Sequence, residues 1–159
     1  MRRNAKGFTI AELITVVAII GILASVALPV ARFSMRRQKE IELRDRLRRI
    51  TDAIDRYHEL MTTQGPVRPA QMQALGSDGY PKDLDELLKG VIMSDNRTVR
   101  LIRERDLIDP MTGRKEWIKR STTDDPGPAT SDGNGENVYE VHSTSTALSL
   151  DGKTHYNEW

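Results

Sequence analysis

The sequence predicts an α+β protein: one long N-terminal α-helix, half of it transmembrane, with a small C-terminal antiparallel β-sheet head packed on its outer half. Three observations predict it. Leu13 to Ala31 is a run of 19 residues without a charge. At about 1.5 Å per helical residue it spans roughly 28 Å, close to the hydrocarbon thickness of a bilayer. Beyond it, Leu43, Leu47, Ile50, Ile54, Tyr57 and Met61 recur at intervals of 4, 3, 4, 3 and 4, a single apolar stripe with Arg and Glu on the opposite face. The rest of the chain replaces that period with short alternating segments between Gly- and Pro-containing turns.

Composition bounds what this architecture can do. The 159 residues suffice for one domain plus an anchor. Setting aside about 55 residues of leader and long helix leaves a soluble part of about 100, enough for a modest core. The net charge of +1, with acids and bases mixed, gives no global field for nucleic acid. There is no cysteine, which excludes thiol catalysis and a stabilising disulfide. His58, His142 and His155 lie far apart without zinc-ligand spacing. With no nucleophile elbow, Walker loop, dinucleotide fingerprint or zincin motif, the sequence offers no enzyme.

The N-terminal segment up to Gly7 carries Arg2, Arg3 and Lys6 and no acid, as a cytoplasmic leader does. The far flank is also basic, with Arg32, Arg36, Arg37 and Lys39, so charge alone does not orient the anchor. A secretory signal is cut after its apolar core. Here the one candidate processing site, Gly7, precedes the apolar run, and cleavage there leaves the anchor in place. Glu12 is a lone carboxylate at the edge of that run. Inside it, Gly21 costs about 1 kcal/mol of helix propensity relative to Ala. Pro29 removes a donor and opposes the Ser25 carbonyl, which predicts a mild kink in a continuous helix. Further on, Glu42 with Arg46 and Asp52 with Arg56 have the spacing of solvated i,i+4 pairs.

The stretch 65–80 is Gly-, Pro- and Gln-rich and reads as a connecting loop. Asp83 and Glu86 have capping-box spacing before a short helix with Leu84, Leu87 and Leu88 on one face, and Gly90 ends it. The stretch 99–105 leaves helix and strand open. Asp109-Pro110-Met111-Thr112-Gly113 is a turn. Glu116 to Lys119 and Val138 to Val141 read as strands. Between them, 121–137 is a long polar loop expected to be mobile. The tail has a turn at Asp151-Gly152, and Tyr156 and Trp159 are placed to pin it on the sheet.

Gly7-Phe8-Thr9-Ile10-Ala11-Glu12 with the apolar run behind it resembles the class III signal of type IV pilins and type II secretion pseudopilins. The resemblance implies a prepilin peptidase that cuts between Gly7 and Phe8 and methylates the new Phe8 amine. It divides the chain into a leader (1–7), a transmembrane and filament-core helix (8–31), its amphipathic continuation (32–63) and a periplasmic head (64–159). It implies that Glu12 meets the Phe8 amine of a neighbouring subunit during assembly. Two unit charges about 4 Å apart attract by roughly 4 kcal/mol at an effective dielectric of about 20, before desolvation, so the pair serves register more than stability. It further implies that helix is lost between Gly21 and Pro29 on assembly.

The implied partners are further copies of the chain in a helical filament, the prepilin peptidase, minor pseudopilins, an inner-membrane assembly platform and membrane lipid, with no nucleic acid. The order Asp109-Pro110, Thr112-Gly113, Trp117, Val138 to Ser143 and Asn157-Glu158-Trp159 resembles G-type (major) pseudopilins, as does the lack of cysteine. That family binds one calcium ion in its C-terminal loops, and Asp132, Asn134, Glu136 and Asp151 are the candidate oxygen donors here. No complete calcium loop is present, because the twelfth position counted from Asp132 is Ser143. Beside the secretion pseudopilin stand three alternatives: a type IV pilin of a surface pilus, a minor tip pseudopilin, and a membrane-anchored periplasmic enzyme or binding module.

Overall fold

The computed structural model describes residues 7–62, 77–93, 95–125, 127 and 131–159. The leader up to residue 6, most of the expected loop at 65–80 and parts of the loop at 121–137 lie outside the described residues. The chain divides into two compact units, Met1–Gln38 and Lys39–Trp159. Its architecture is α+β, a long N-terminal helix followed by small antiparallel sheets.

Helix α1 runs unbroken from Ile10 to Thr62, with Pro29 inside it. Its first part is apolar on every side and buries nothing: Leu13, Ile20, Leu23, Leu28 and Phe33 are all exposed in the isolated chain. The hydroxyls in this run bond back to their own helix, Thr15 Oγ1 to the Ala11 carbonyl at 2.8 Å and Ser25 Oγ to the Ile22 carbonyl at 2.7 Å. Such internal satisfaction is what a low-dielectric surrounding demands.

From Lys39 onward one face of α1 is buried. Leu43, Ile50, Ala53, Ile54, Tyr57 and Leu60 form the floor of the head, with Leu47 and Met61 half-buried at its edges. The short helix α2 (Leu84–Lys89) packs Leu84 and Leu87 on it, and Val91, Ile102, Leu107, Trp117, Val138, Val141 and Tyr156 complete the core. Gly90 ends α2 at φ +81°, and a Cβ there would come within 2.5 Å of the Val99 carbonyl oxygen, so only glycine fits.

The expected single sheet is two separate antiparallel ladders. Strand β1 (Val91–Ile92) pairs with β2 (Thr98–Val99), and β3 (Trp117–Arg120) pairs with β4 (Glu140–Ser143), with Trp117 opposite Ser143. The open stretch at 99–105 resolves into the end of β2 and a 3-10 turn at Glu104–Leu107. Strand β4 starts two residues later than the alternation implies, because the Val138 amide donates to the Pro81 carbonyl at 2.8 Å. The capping box at Asp83 is not made. Glu86 instead turns inward, where its Oε2 accepts from the Tyr57 hydroxyl at 3.1 Å. Burial, then the Glu86 carboxylate beside it, pushes the Tyr57 hydroxyl pKa up. Glu42 and Arg46 pair at 3.0 Å as expected, whereas Arg56 pairs with Glu59 rather than Asp52.

Buried carboxylates fasten the loops. Asp106 is shared by Arg46 and Arg49 of α1. Asp109, wholly buried, closes the Asp109–Gly113 turn by accepting from the Met111 amide, and it takes the Ser143 hydroxyl of β4, both at 2.7 Å. The polar loop is less free than its composition suggests. Asp132 Oδ1 accepts the Lys119 amide at 3.0 Å and Gly133 donates to the Lys119 carbonyl at 2.8 Å, covering the edge of β3 that faces away from β4. Asn137, also buried, holds Ser121 and Thr122.

The tail is pinned to α1 as well as to β4. Glu40 is 8% exposed, and its Oε1 accepts both the Leu150 amide at 2.6 Å and the Tyr156 hydroxyl at 2.8 Å. The Arg44 guanidinium stands 4.3 Å over the Trp159 ring, and His142 Nδ1 lies 2.8 Å from the Trp159 carbonyl. Glu40→Ala removes the acceptor of two hydrogen bonds at once, while Tyr156→Phe removes one bond worth about 1 kcal/mol. We therefore predict that Glu40→Ala lowers the stability of the detergent-solubilised chain more than Tyr156→Phe does. Urea unfolding followed by tryptophan fluorescence checks it, and equal midpoints for both variants and wild type would refute the assignment.

Candidate functional site

The candidate site is the N-terminal end of α1. Gly7, Phe8 and Thr9 precede the helix and are exposed, Phe8 at 75%. No other atom lies within 4 Å of where a Gly7 side chain would begin. The Gly7–Phe8 peptide bond thus sits in exposed chain ahead of the helix.

Thr9 is the N-cap of α1. Its Oγ1 accepts the Glu12 amide at 3.2 Å, and Glu12 Oε2 accepts the Thr9 amide and the Thr9 hydroxyl, each at 3.3 Å. This is a reciprocal capping box, which satisfies two of the orphan donors at the helix start and places a carboxylate at the positive end of the helix dipole. The chain from Thr9 to Glu12 carried the signal in its Thr-x-x-Glu spacing, which the reading of Glu12 as an assembly residue alone passed over. The carboxylate is therefore held on Thr9, the residue next to Phe8.

Behind the cap, Ile10 to Thr62 is long and apolar enough at its N-terminal end to cross a membrane. Gly21 and Pro29 both lie within unbroken helix, and no other atom lies within 4 Å of a Cβ built at Gly21. A neighbouring helix can approach closely there.

A family model described as the prokaryotic N-terminal methylation motif matches residues 2–28. The chain carries a type IV pilin-like prepilin signal. The match ends within the anchor and leaves the head uncovered. Comparison of the chain with curated proteins and with solved structures gives no match. The motif points to a structural, membrane-anchored subunit that a prepilin peptidase processes.

The four candidate calcium donors do not come together. Asp132 is committed to the Lys119 amide, Asn134 bonds Thr123 and the Glu136 amide, and Glu136 accepts from the Thr123 hydroxyl. Asp151 closes a separate turn, accepting from Ser149 Oγ and from the amides of Lys153 and Thr154. Among the described residues no three His, Asp or Glu side chains gather as metal ligands would. Asn134 and Glu136 thus meet on Thr123 in one loop, while Asp151 stands in a separate turn.

Hydrogen bonds from Ser149 and then from the Lys153 amide hold the Asp151 carboxyl down at about 2. A carboxyl lowered by folding contributes stability that is complete above its ordinary pKa of about 4 and fades as pH falls through the folded value. The turn at 149–154 should therefore keep its structure down to about pH 3 and lose it near about pH 2. An NMR titration of the Lys153 and Thr154 amides checks this, and a midpoint at about 4 would contradict it.

Proposed function

We propose that this chain is the structural subunit of a helical filament, and that the filament is the pseudopilus of a type II secretion system with this chain as its major pseudopilin. The observation that carries the proposal is the prepilin signal joined to a helix whose first half is apolar on all sides and covered by nothing in the single chain. So much exposed apolar surface needs either lipid or other copies of itself. A subunit stored in the inner membrane with a periplasmic head, then drawn into a filament of packed helices, exchanges one for the other at little cost. The lack of cysteine and the compact head favour the secretion pseudopilin over a surface pilin.

In this reading the peptidase cuts after Gly7 and methylates Phe8, and the freed amine on an incoming subunit meets Glu12 of a neighbour. The capping box supplies the means: it holds the carboxylate at the helix end and releases only long, exposed bonds when an ammonium arrives. Gly21 and Pro29 mark where the helix loosens as the subunit leaves the membrane. The prepilin peptidase, minor pseudopilins and an inner-membrane platform are the partners this reading requires.

The processed chain should have the mass of residues 8–159 plus one methyl group, and Glu12→Ala should still be cleaved and methylated at the same place while cutting sheared filaments at least about ten-fold. Glu12→Gln keeps an acceptor for the Thr9 amide but loses the charge, so it should fail as Ala does. Full assembly by the Gln variant would assign Glu12 to helix capping alone. Deleting the gene in its host separates the two kinds of filament. Exported proteins held in the periplasm with surface pili intact support the secretion pseudopilus, and normal secretion with lost pili makes it a pilin.

A further inference from the structure

A cleft of about 1090 Å³ opens in the head between α1 and the stretch from Val99 to Asp106. Ala53, Val99 and Leu101 give it an apolar lining, and the exposed Arg100, Arg103 and Arg105 give it a cationic rim. On the helix side Arg49 serves Asp45 and Asp106, Arg56 serves Glu59, and the exposed Asp52 adds one carboxylate to the lining. Glu104 is taken by Lys115. Among the described residues no carboxylate pairs with Arg100, Arg103 or Arg105. The volume is far too large for a lone anion, and no aromatic ring lines it on which a nucleobase would stack. Guanidinium groups above an apolar floor suit a protein segment that carries carboxylates beside an apolar or aromatic side chain.

The head displays such a segment elsewhere on its own surface. Tyr139 is 48% exposed while its neighbour Val138 is buried at 1%. Glu136 and Glu140, both exposed, stand on either side of it in sequence. At this knob Tyr80 packs edge-on against the Tyr139 ring at 5.3 Å, and Glu140, opposite Arg120 in the β3–β4 ladder, has its Oε2 3.5 Å from His142 Nε2. Cleft and knob share no residue.

We infer that the arginine cleft of one copy receives the Glu136–Tyr139–Glu140 knob of a second copy. The two glutamates meet Arg100, Arg103 and Arg105, and the tyrosine ring lies against the apolar lining, where a guanidinium also stacks on it. Because the contact joins two different patches of the same chain, it is heterologous and repeats from copy to copy, and where the rotation does not close it builds an open helix. The inference rests on the filament reading above and names a head-to-head contact for it.

The cysteine-free sequence makes the test direct. The full chain carrying Arg100→Cys and Glu140→Cys is expressed in its host and oxidised in the intact membrane. A ladder of disulfide-linked multimers is expected, with each single variant giving dimers at most. In parallel, Arg103→Glu with Arg105→Glu should cut sheared filaments about ten-fold, and adding Glu136→Arg with Glu140→Arg should restore them. Rescue by the second reversal shows that the first one left the chain folded. Filaments without a ladder and untouched by charge reversal overturn the contact and leave the filament reading standing. A ladder without any filament keeps the contact and overturns the filament. Neither ladder nor filament overturns both, and cross-linking of the Arg100→Cys variant to a different protein overturns the second copy as the occupant.

Discussion

One face of one helix carries the head. Leu84 and Leu87 of the short helix, Val91, Trp117 and Val141 of the ladders and Tyr156 of the tail gather in one core with the stripe that starts near Leu43 and ends near Leu60. The constraint is size: about 100 residues with two strand pairs of two and four residues cannot close a core by themselves. A long helix supplies the missing wall as one continuous element, with no loop to close between its buried positions. The arrangement also explains the small size of the sheets, which have only to cover a stripe.

What fastens loops to that wall is buried charge. Glu40, Asp106 and Asp109 are each almost wholly enclosed, and each is met by donors from elements far apart in sequence. Burying a carboxylate is favourable only when hydrogen bonds replace its water. Each of these sites therefore specifies where a loop goes more than it adds to stability. Glu40 is the most consequential, because it ties the tail to the first turns of the helix that the head covers.

The N-terminal end follows a different rule. There the polar groups are few and exposed, and the surface beyond them is apolar on every side. A helix of that kind is incomplete in water, and its capping box fixes the one carboxylate at the helix start. The same chain thus holds a segment that needs neighbours and a head that folds on its own stretch of helix.

The sequence by itself determined the helix, its apolar run, the stripe, the turn at Asp109, the processing motif and the α+β class. These depend on local periodicity and on short motifs, where each residue's role is set by neighbours three or four positions away. The capping box at Thr9 was legible in the same way. Even Glu40 had a trace, since it falls three residues before Leu43 and so continues the stripe, a carboxylate where an apolar residue was due. Its partners were not legible. Tyr156 lies 116 positions away and Leu150 lies 110, and no spacing rule joins them. Tertiary structure alone decided that Glu86 turns to Tyr57 instead of capping its helix. It also decided that Val138 bonds to Pro81 before β4 begins. Glu86 and Val138 each took a partner offered by a distant element, because burial made leaving that partner unmatched more costly than giving up the local bond.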